Sequence, residues 1–183
     1  TWVDNVGGTS NGQATSTVTD GEWHHFAFTM EGYSPATIKS YTDGVLEGTD
    51  SIVGGGWGNC NGGTVLDQLN IGGYEDTGNA WQEDLTGYTD EIGIWKKIPD
   101  GWSGADAVTY LYNDGKGRNY ESITTASPSF TSTMLAYYQM DEITGNYVDS
   151  FEGTYNLSEF SGGGPTRGED GAISELTGFS SFA

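Results

Sequence analysis

Acidic side chains lie close together between Tyr74 and Asp84, in a segment without apolar periodicity that is predicted to be a loop. Glu75, Asp76 and Asp84 belong to this segment, and Asp90 follows shortly after it. Calcium takes about six to eight oxygen ligands, which loop carboxylates and carbonyls commonly supply. The pattern predicts calcium as a cofactor, with Glu75, Asp76, Asp84 and Asp90 among its ligands. The alternative is that these are solvated acids of a generally acidic protein.

Aromatic residues in the predicted loops are the second candidate group. Trp57 lies in the glycine-rich stretch 54–63, and Tyr74 and Trp81 lie in the acidic loop. An aromatic ring can stack on the apolar face of a sugar while a neighbouring amide or carboxylate bonds the hydroxyls. Trp57, Tyr74, Trp81 and Asn70 are therefore predicted to bind a ligand. The alternative is that these rings only fasten loops to the fold.

Several other kinds of site are excluded. The adjacent His24 and His25 would point to opposite faces of a strand, so they cannot easily bind one ion. No serine triad, zinc spacing or phosphate loop is present. Cys60 is the single cysteine, so no disulfide forms within the chain.

Charge and hydropathy limit the partners. The formal net charge is −20, from 26 acidic and 6 basic residues, and such a field repels nucleic acid and anionic membrane surfaces. No apolar run approaches the roughly 18 residues that membrane insertion requires. We therefore expect neither nucleic acid nor membrane insertion.

Glycine supplies 30 of the 183 residues and separates short apolar runs, which is typical of an all-β protein. Residues 23–30 alternate, and Phe26 and Phe28 are predicted to face the core. Residues 37–42 are predicted to be the strand that pairs with residues 23–30. Asp43-Gly44 predicts a two-residue hairpin turn between this strand and the next, which begins at Val45.

In the predicted strand from Leu85 to Trp95, Asp90 lies on the same face as Ile92 and Ile94. If the isoleucines face the core, Asp90 does too, and its carboxylate then needs hydrogen-bond donors or a cation. Beyond it, Ser103 fits the N-cap of one short helix from about Gly104 to Asn113, with Gly115 as its stop. Residues 124–133 are short and polar, and they are predicted to be a linker.

Motifs at both ends of the chain resemble laminin-G-like modules of the concanavalin A-like superfamily. Gly21-Glu22-Trp23-His24-His25 and Asp90-Glu91 are similar to the later part of such modules, and Ala136 to Glu142 with Asp149-Ser150 are similar to their opening. The resemblance implies an all-β fold, an antiparallel jelly-roll β-sandwich with one short helix.

The order of these motifs is reversed, because closing motifs precede opening ones. Residues 1–123 would form a laminin-G-like β-sandwich unit, the C-terminal portion of a module, and 124–133 a linker. Residues 134–183 would either open a second module in a tandem array or complete the first sandwich as in a circular permutant. The linker favours the tandem arrangement, which is the one we expect from the sequence, although half-modules with open sheet edges should not be stable.

The resemblance implies a non-catalytic recognition or adhesion module that binds a glycan or a cell-surface protein. It would belong to a larger extracellular, cell-surface or virion protein, such as a phage fibre or decoration protein, with copies of itself or virion proteins as neighbours. A purely structural virion or matrix component is the alternative. Glycoside hydrolysis is disfavoured because Glu91-Ile92-Gly93-Ile94-Trp95 has Gly and Trp where the glycosidase pattern of the superfamily needs further carboxylates.

Overall fold

The computed structural model describes residues 20–32, 37–51, 87–142 and 144–158 with their side chains. It describes the backbone alone at 2–3, 9–10, 36, 52, 74–75 and 81–82. Its strands are β1 (Trp2–Val3), β2 (Thr9–Ser10), β3 (Phe26–Glu31), β4 (Ala36–Thr42), β5 (Val45–Ile52), β6 (Tyr74–Glu75), β7 (Trp81–Gln82), β8 (Ile92–Trp95) and β9 (Met134–Tyr138). Its helices are α1 (Gly104–Tyr112), α2 (Tyr120–Ala126) and α3 (Pro128–Thr133).

The three strands β3, β4 and β5 form an antiparallel sheet in that order. Asp43 and Gly44 connect β4 to β5 with φ angles of 51° and 77°, and two positive φ angles define the type I′ turn that the sequence predicts. Strand β3 pairs with β4 from Phe26, opposite Thr42, to Glu31, opposite Thr37. Across the turn between β4 and β5, Thr42 pairs with Val45. The predicted hairpin is therefore confirmed.

The prediction that Phe26 and Phe28 face the core is wrong. Their side chains are 48% and 51% exposed, whereas Ile38 on the central strand β4 is 3% exposed. Helix α1 covers the opposite face of β3, because a Cβ on Gly104 would lie 3.1 Å from the Thr29 hydroxyl. Small side chains on that face allow the helix backbone to come close, and alternation alone does not say which face a helix will cover.

Helix α1 has the predicted boundaries. The Ser103 side chain accepts a hydrogen bond from the Asp106 backbone N–H, and Asn113 ends the helix in the left-handed conformation. Ala107 and Val108 are buried, and Leu111 packs on the core.

The predicted linker, residues 124–133, is instead the end of α2 and the whole of α3. Its Ser and Thr hydroxyls bond back to the helices, as Thr124 Oγ1 donates to the Tyr120 carbonyl at 2.9 Å. Ile123 and Phe130 anchor the two helices in the core at 1% exposure each. With so few apolar anchors, the helices show no periodicity in the sequence. The described residues thus contain three helices, where one was predicted.

Strand β9 joins the C-terminal region to the rest of the chain. It pairs antiparallel with β8, with Ile92 opposite Tyr138 and Gly93 opposite Tyr137. Tyr137 packs with the helices, and Tyr138 packs with Ile92 and Ile94 on the other side. A C-terminal strand therefore completes a pair begun within the first 123 residues, which is what the permutant alternative requires.

All strand pairs among the described residues are antiparallel, as expected of a β-sandwich. Within the same residues, no helix combines the length and the apolar character that crossing a bilayer requires.

Candidate ligand-binding groove

Half of the eight predicted site residues lie outside the described residues. These are Trp57, Asn70, Asp76 and Asp84. The backbone at Tyr74, Glu75 and Trp81 forms the pair β6–β7, with Glu75 opposite Trp81, where a continuous loop was predicted. Tyr74 and Trp81 are thus not directly opposite each other.

Asp90 is described, and its surroundings differ from the prediction. It precedes β8, and the next residue, Glu91, has a φ of 52°. This left-handed turn breaks the alternation that placed Asp90 in phase with the isoleucines. Asp90 is half-buried. The buried carboxyl oxygen in this turn is instead Oε2 of the next residue, Glu91.

Burial raises the pKa of Glu91 to about 8. The hydrogen bond from the Tyr137 hydroxyl opposes this shift, whereas the charges of Asp90 and Asp141 add to it. Burial and the Glu91 charge also raise the pKa of Tyr137 well above its ordinary value. Glu91 is therefore mostly protonated at neutral pH.

Asp149 is a second buried carboxylate, and its role is structural. Its Oδ1 accepts the backbone N–H groups of Tyr137 and Phe151 at 3.0 and 3.1 Å, and its Oδ2 accepts that of Thr154 at 3.2 Å. Burial alone would raise the pKa of Asp149, but these backbone bonds outweigh it and lower the pKa. Asp149 thus fastens the segment after β9 to β9 itself.

The two histidines lie in different environments. His24 Nδ1 is 2.8 Å from Asp43 Oδ2, and its Nε2 is 3.0 Å from Asp20 Oδ1. The hydrogen bonds to Asp43 and then Asp20 raise the pKa of His24. His25 packs on the ring of Tyr112, and burial lowers its pKa to about 4.

No three His, Cys, Asp or Glu side chains in the described part of the chain are arranged to hold a metal ion. Asp90 is the one predicted calcium ligand whose side chain belongs to that part. The set of Glu75, Asp76, Asp84 and Asp90 stays a prediction.

Two neighbouring cavities border helix α1. The first has a volume of about 520 Å³ and is lined by Gly101, Trp102, Asp106, Thr109 and Tyr110. The second, of about 320 Å³, is lined by Glu31, Lys39, Ile98, Trp102, Ser103, Gly104 and Ala105. Trp102 lines both, so we call the two cavities together the Trp102 groove. Both cavities are shallow and open to solvent, so a ligand in them would lie on the surface of the protein and not in an enclosed pocket.

Three contacts hold the Trp102 ring in place. Its Nε1 donates to Ser129 Oγ at 3.2 Å. The ring centroid lies 5.2 Å from that of Phe130 in an edge-to-face arrangement and 5.0 Å from that of Tyr110. A ring fixed in this way loses little entropy on binding.

Polar groups accompany the two rings. Asp106 and Thr109 are exposed on the helix surface. At the other end of the groove, Lys39 Nζ and Glu31 Oε1 are paired at 3.0 Å. An aromatic surface beside exposed hydroxyl and carboxylate groups is chemically suited to a sugar, which has an apolar face and many hydroxyls.

The sequence does not predict this groove, because residues from about Gly104 to Asn113 are predicted only to form a short helix. Asp106 and Tyr110 are four residues apart within α1, a spacing that places their side chains on one face of the helix, whereas Trp102 precedes the helix. That spacing is the feature of the sequence from which the groove could have been predicted. The side chains that β3 and β4 add to it, Glu31 and Lys39, are found only from the structure.

The comparison with known families agrees with the strands, the turn and the antiparallel pairing. The family model described as the concanavalin A-like lectin/glucanases superfamily, of the laminin G type, matches residues 1–99. The chain belongs to this superfamily. Searches among characterised proteins and among solved structures give no match.

Laminin G-like domains are generally non-catalytic binding modules and typically extracellular, whereas the superfamily also includes glycosidases. The structure explains why Gly93 departs from the glycosidase pattern. A Cβ at Gly93 would collide with the Trp95 ring and lie 3.0 Å from the Tyr137 ring. A carboxylate side chain does not fit at this position.

Proposed function

We propose that this chain is a non-catalytic recognition module that binds glycans in the Trp102 groove. The observation that best supports this proposal is that the Trp102 ring, held in place by its neighbours, lines two adjacent cavities that also expose polar groups. Membership of a superfamily that contains lectins supports a binding function. We further propose that the module acts as part of a larger extracellular or virion surface protein, such as a phage fibre.

The sandwich and the calcium site belong to the same proposal. The antiparallel pairs and the pairing of β9 with β8 support a jelly-roll sandwich that residues 134–183 complete. The proposal includes calcium bound by Glu75, Asp76, Asp84 and Asp90, because loop carboxylates are ligands that calcium prefers.

Isothermal titration of the full chain with a panel of oligosaccharides tests the proposal. Thr109→Lys should weaken binding at least ten-fold, because a long side chain on this exposed position occupies the first cavity. Thr125→Lys is the matched control, since Thr125 is exposed on α2 and does not line the groove. Equal affinities of the two variants would show that the glycan binds elsewhere.

The same titration separates the alternatives. A purely structural virion or matrix component would bind no oligosaccharide. A glycosidase would release new reducing ends from the panel, which we do not expect given the crowding at Gly93. Repeating the titration with a chelator tests calcium, since loss of binding would assign the ion a role.

A further inference from the structure

The charged side chains of the Trp102 groove carry information on the charge of its ligand. Asp106 lines the first cavity, and Glu31 and Lys39 line the second. Lys39 Nζ lies 3.0 Å from Glu31 Oε1, so a carboxylate of the chain already neutralises this cation. Among the described lining residues, Asp106 is thus the one carboxylate without a cationic partner; the Arg118 guanidinium lies 4.1 Å from the centre of the Tyr110 ring but is not among the described residues that line either cavity.

Asp106 is available to a ligand. It is exposed, and its Oδ2 accepts a hydrogen bond from Ser103 Oγ at 2.6 Å. A carboxylate has roughly four acceptor sites, so this bond leaves most of its capacity unused. The amino end of a helix attracts anions, but Asp106 lies in the first turn of α1 and offsets that attraction.

We propose that the Trp102 groove prefers glycans that carry amino groups to uncharged ones and disfavours anionic ones, and that Asp106 sets this selectivity. The inference rests on the proposed function and adds the ligand's charge to it. An ammonium group near Asp106 gains a charge-assisted hydrogen bond, whereas a carboxylate or sulfate meets a like charge. The net charge of −20 acts in the same direction over longer distances at low salt.

Three oligosaccharides of equal length test the inference by titration of the full chain at about pH 6, where sugar amines are largely protonated. These are a glucosamine oligomer, its N-acetylated counterpart and a galacturonic acid oligomer. At low salt we expect the glucosamine oligomer to bind about three- to five-fold more tightly than the N-acetylated one. The galacturonic acid oligomer should bind more weakly than both.

Asp106→Asn should bring the affinities of the glucosamine oligomer and its N-acetylated counterpart together. Asp114→Asn is the control: it removes the same charge from an exposed position outside the groove and should preserve the difference. Thermal unfolding of both variants checks that helix α1 remains folded.

Three results would overturn the inference alone. These are equal wild-type affinities for the two glucosamine-based oligomers, a preference that Asp106→Asn leaves unchanged, and tighter binding of the galacturonic acid oligomer. If none of the three oligomers binds, and the wider panel does not bind either, the proposed function fails together with the inference.

Discussion

At the scale of single residues, local surroundings give like side chains different protonation behaviour. His24 and His25 are neighbours in the sequence, but one is bonded to two carboxylates and the other is buried against an aromatic ring. Glu91 and Asp149 are both withdrawn from water, but backbone N–H groups surround only Asp149. The number of hydrogen-bond donors around each carboxyl group decides whether its protonated or its ionised form is the more stable.

We expect the two histidines to titrate far apart. Bonds to Asp43 and Asp20 raise the pKa of His24, whereas burial lowers the pKa of His25 to about 4. The contribution of His24 to stability is present below its ordinary pKa and is lost as the pH rises through the raised one. Because the chain has 2 histidines, ring-proton NMR of the wild type and of His25→Gln assigns both curves. Coincident curves near pH 6.5 would contradict this prediction.

Glu91 should make the protein less stable as the pH rises. Its pKa is near its ordinary value in the unfolded chain and about 8 in the folded one, so the folded state binds more protons between these values. Ionising this buried carboxyl costs on the order of a few kcal/mol. Glu91→Gln should therefore flatten the dependence of unfolding free energy on pH between about 5 and 8.

Urea denaturation across this pH range measures the effect of Glu91→Gln. Glu152→Gln serves as the control, because Glu152 is an exposed glutamate of the C-terminal segment. A wild-type profile that does not fall with pH would refute the assignment of a protonated Glu91.

At the scale of elements, short polar segments are stabilised by side chains that bond the backbone. Hydroxyls of α2 and α3 bond their own carbonyls, and Ser103 and Asn119 cap α1 and α2. The segment 147–157 has little regular structure, and its shape comes from the backbone bonds that Asp149 accepts and from the bridge between Tyr147 and Leu157.

Replacing Asp149 should therefore destabilise this segment and β9 together. Asp149→Ala leaves the buried N–H of Tyr137 and the part-buried N–H groups of Phe151 and Thr154 without acceptors, which costs roughly 3 kcal/mol. Asp114→Asn is a suitable control, because Asp114 is exposed and asparagine tolerates its positive φ of 54°. Denaturant unfolding should show the loss for Asp149→Ala alone. A loss below about 1 kcal/mol would mean that water satisfies these N–H groups.

At the scale of the whole molecule, β9 connects the C-terminal region to the rest. Met134, Ala136, Tyr137 and Tyr138 are each at most 1% exposed, so β9 is buried on both faces. Packing of this kind makes residues 134–158 part of the same cooperative unit as β8 and the helices.

A fragment that ends at residue 133 should accordingly fail to fold around its helices. Without β9, the core side chains Ile123, Phe130 and Trp95 lose their cover, and each such loss costs roughly 1.5–3 kcal/mol. Circular dichroism should show reduced helical signal in the fragment, and a peptide of residues 134–158 should restore it. A fully folded fragment would instead support the tandem-module arrangement.

The sequence by itself determined the features that depend on neighbouring residues. Asp43-Gly44 specified the type I′ turn, and Ser103 with Asn113 specified the ends of α1, because turn and cap geometry is local. The motifs around Trp23 and Asp90 also carried enough information to indicate the superfamily.

Tertiary structure alone decided what depends on contacts between distant residues. Helix α1 covers the Thr29 face of β3 and leaves Phe26 and Phe28 exposed. The left-handed turn at Glu91 buries that carboxyl where Asp90 was expected, and the Trp102 groove combines α1 with side chains of β3 and β4. Periodicity states which residues share a face, but only packing states what covers that face.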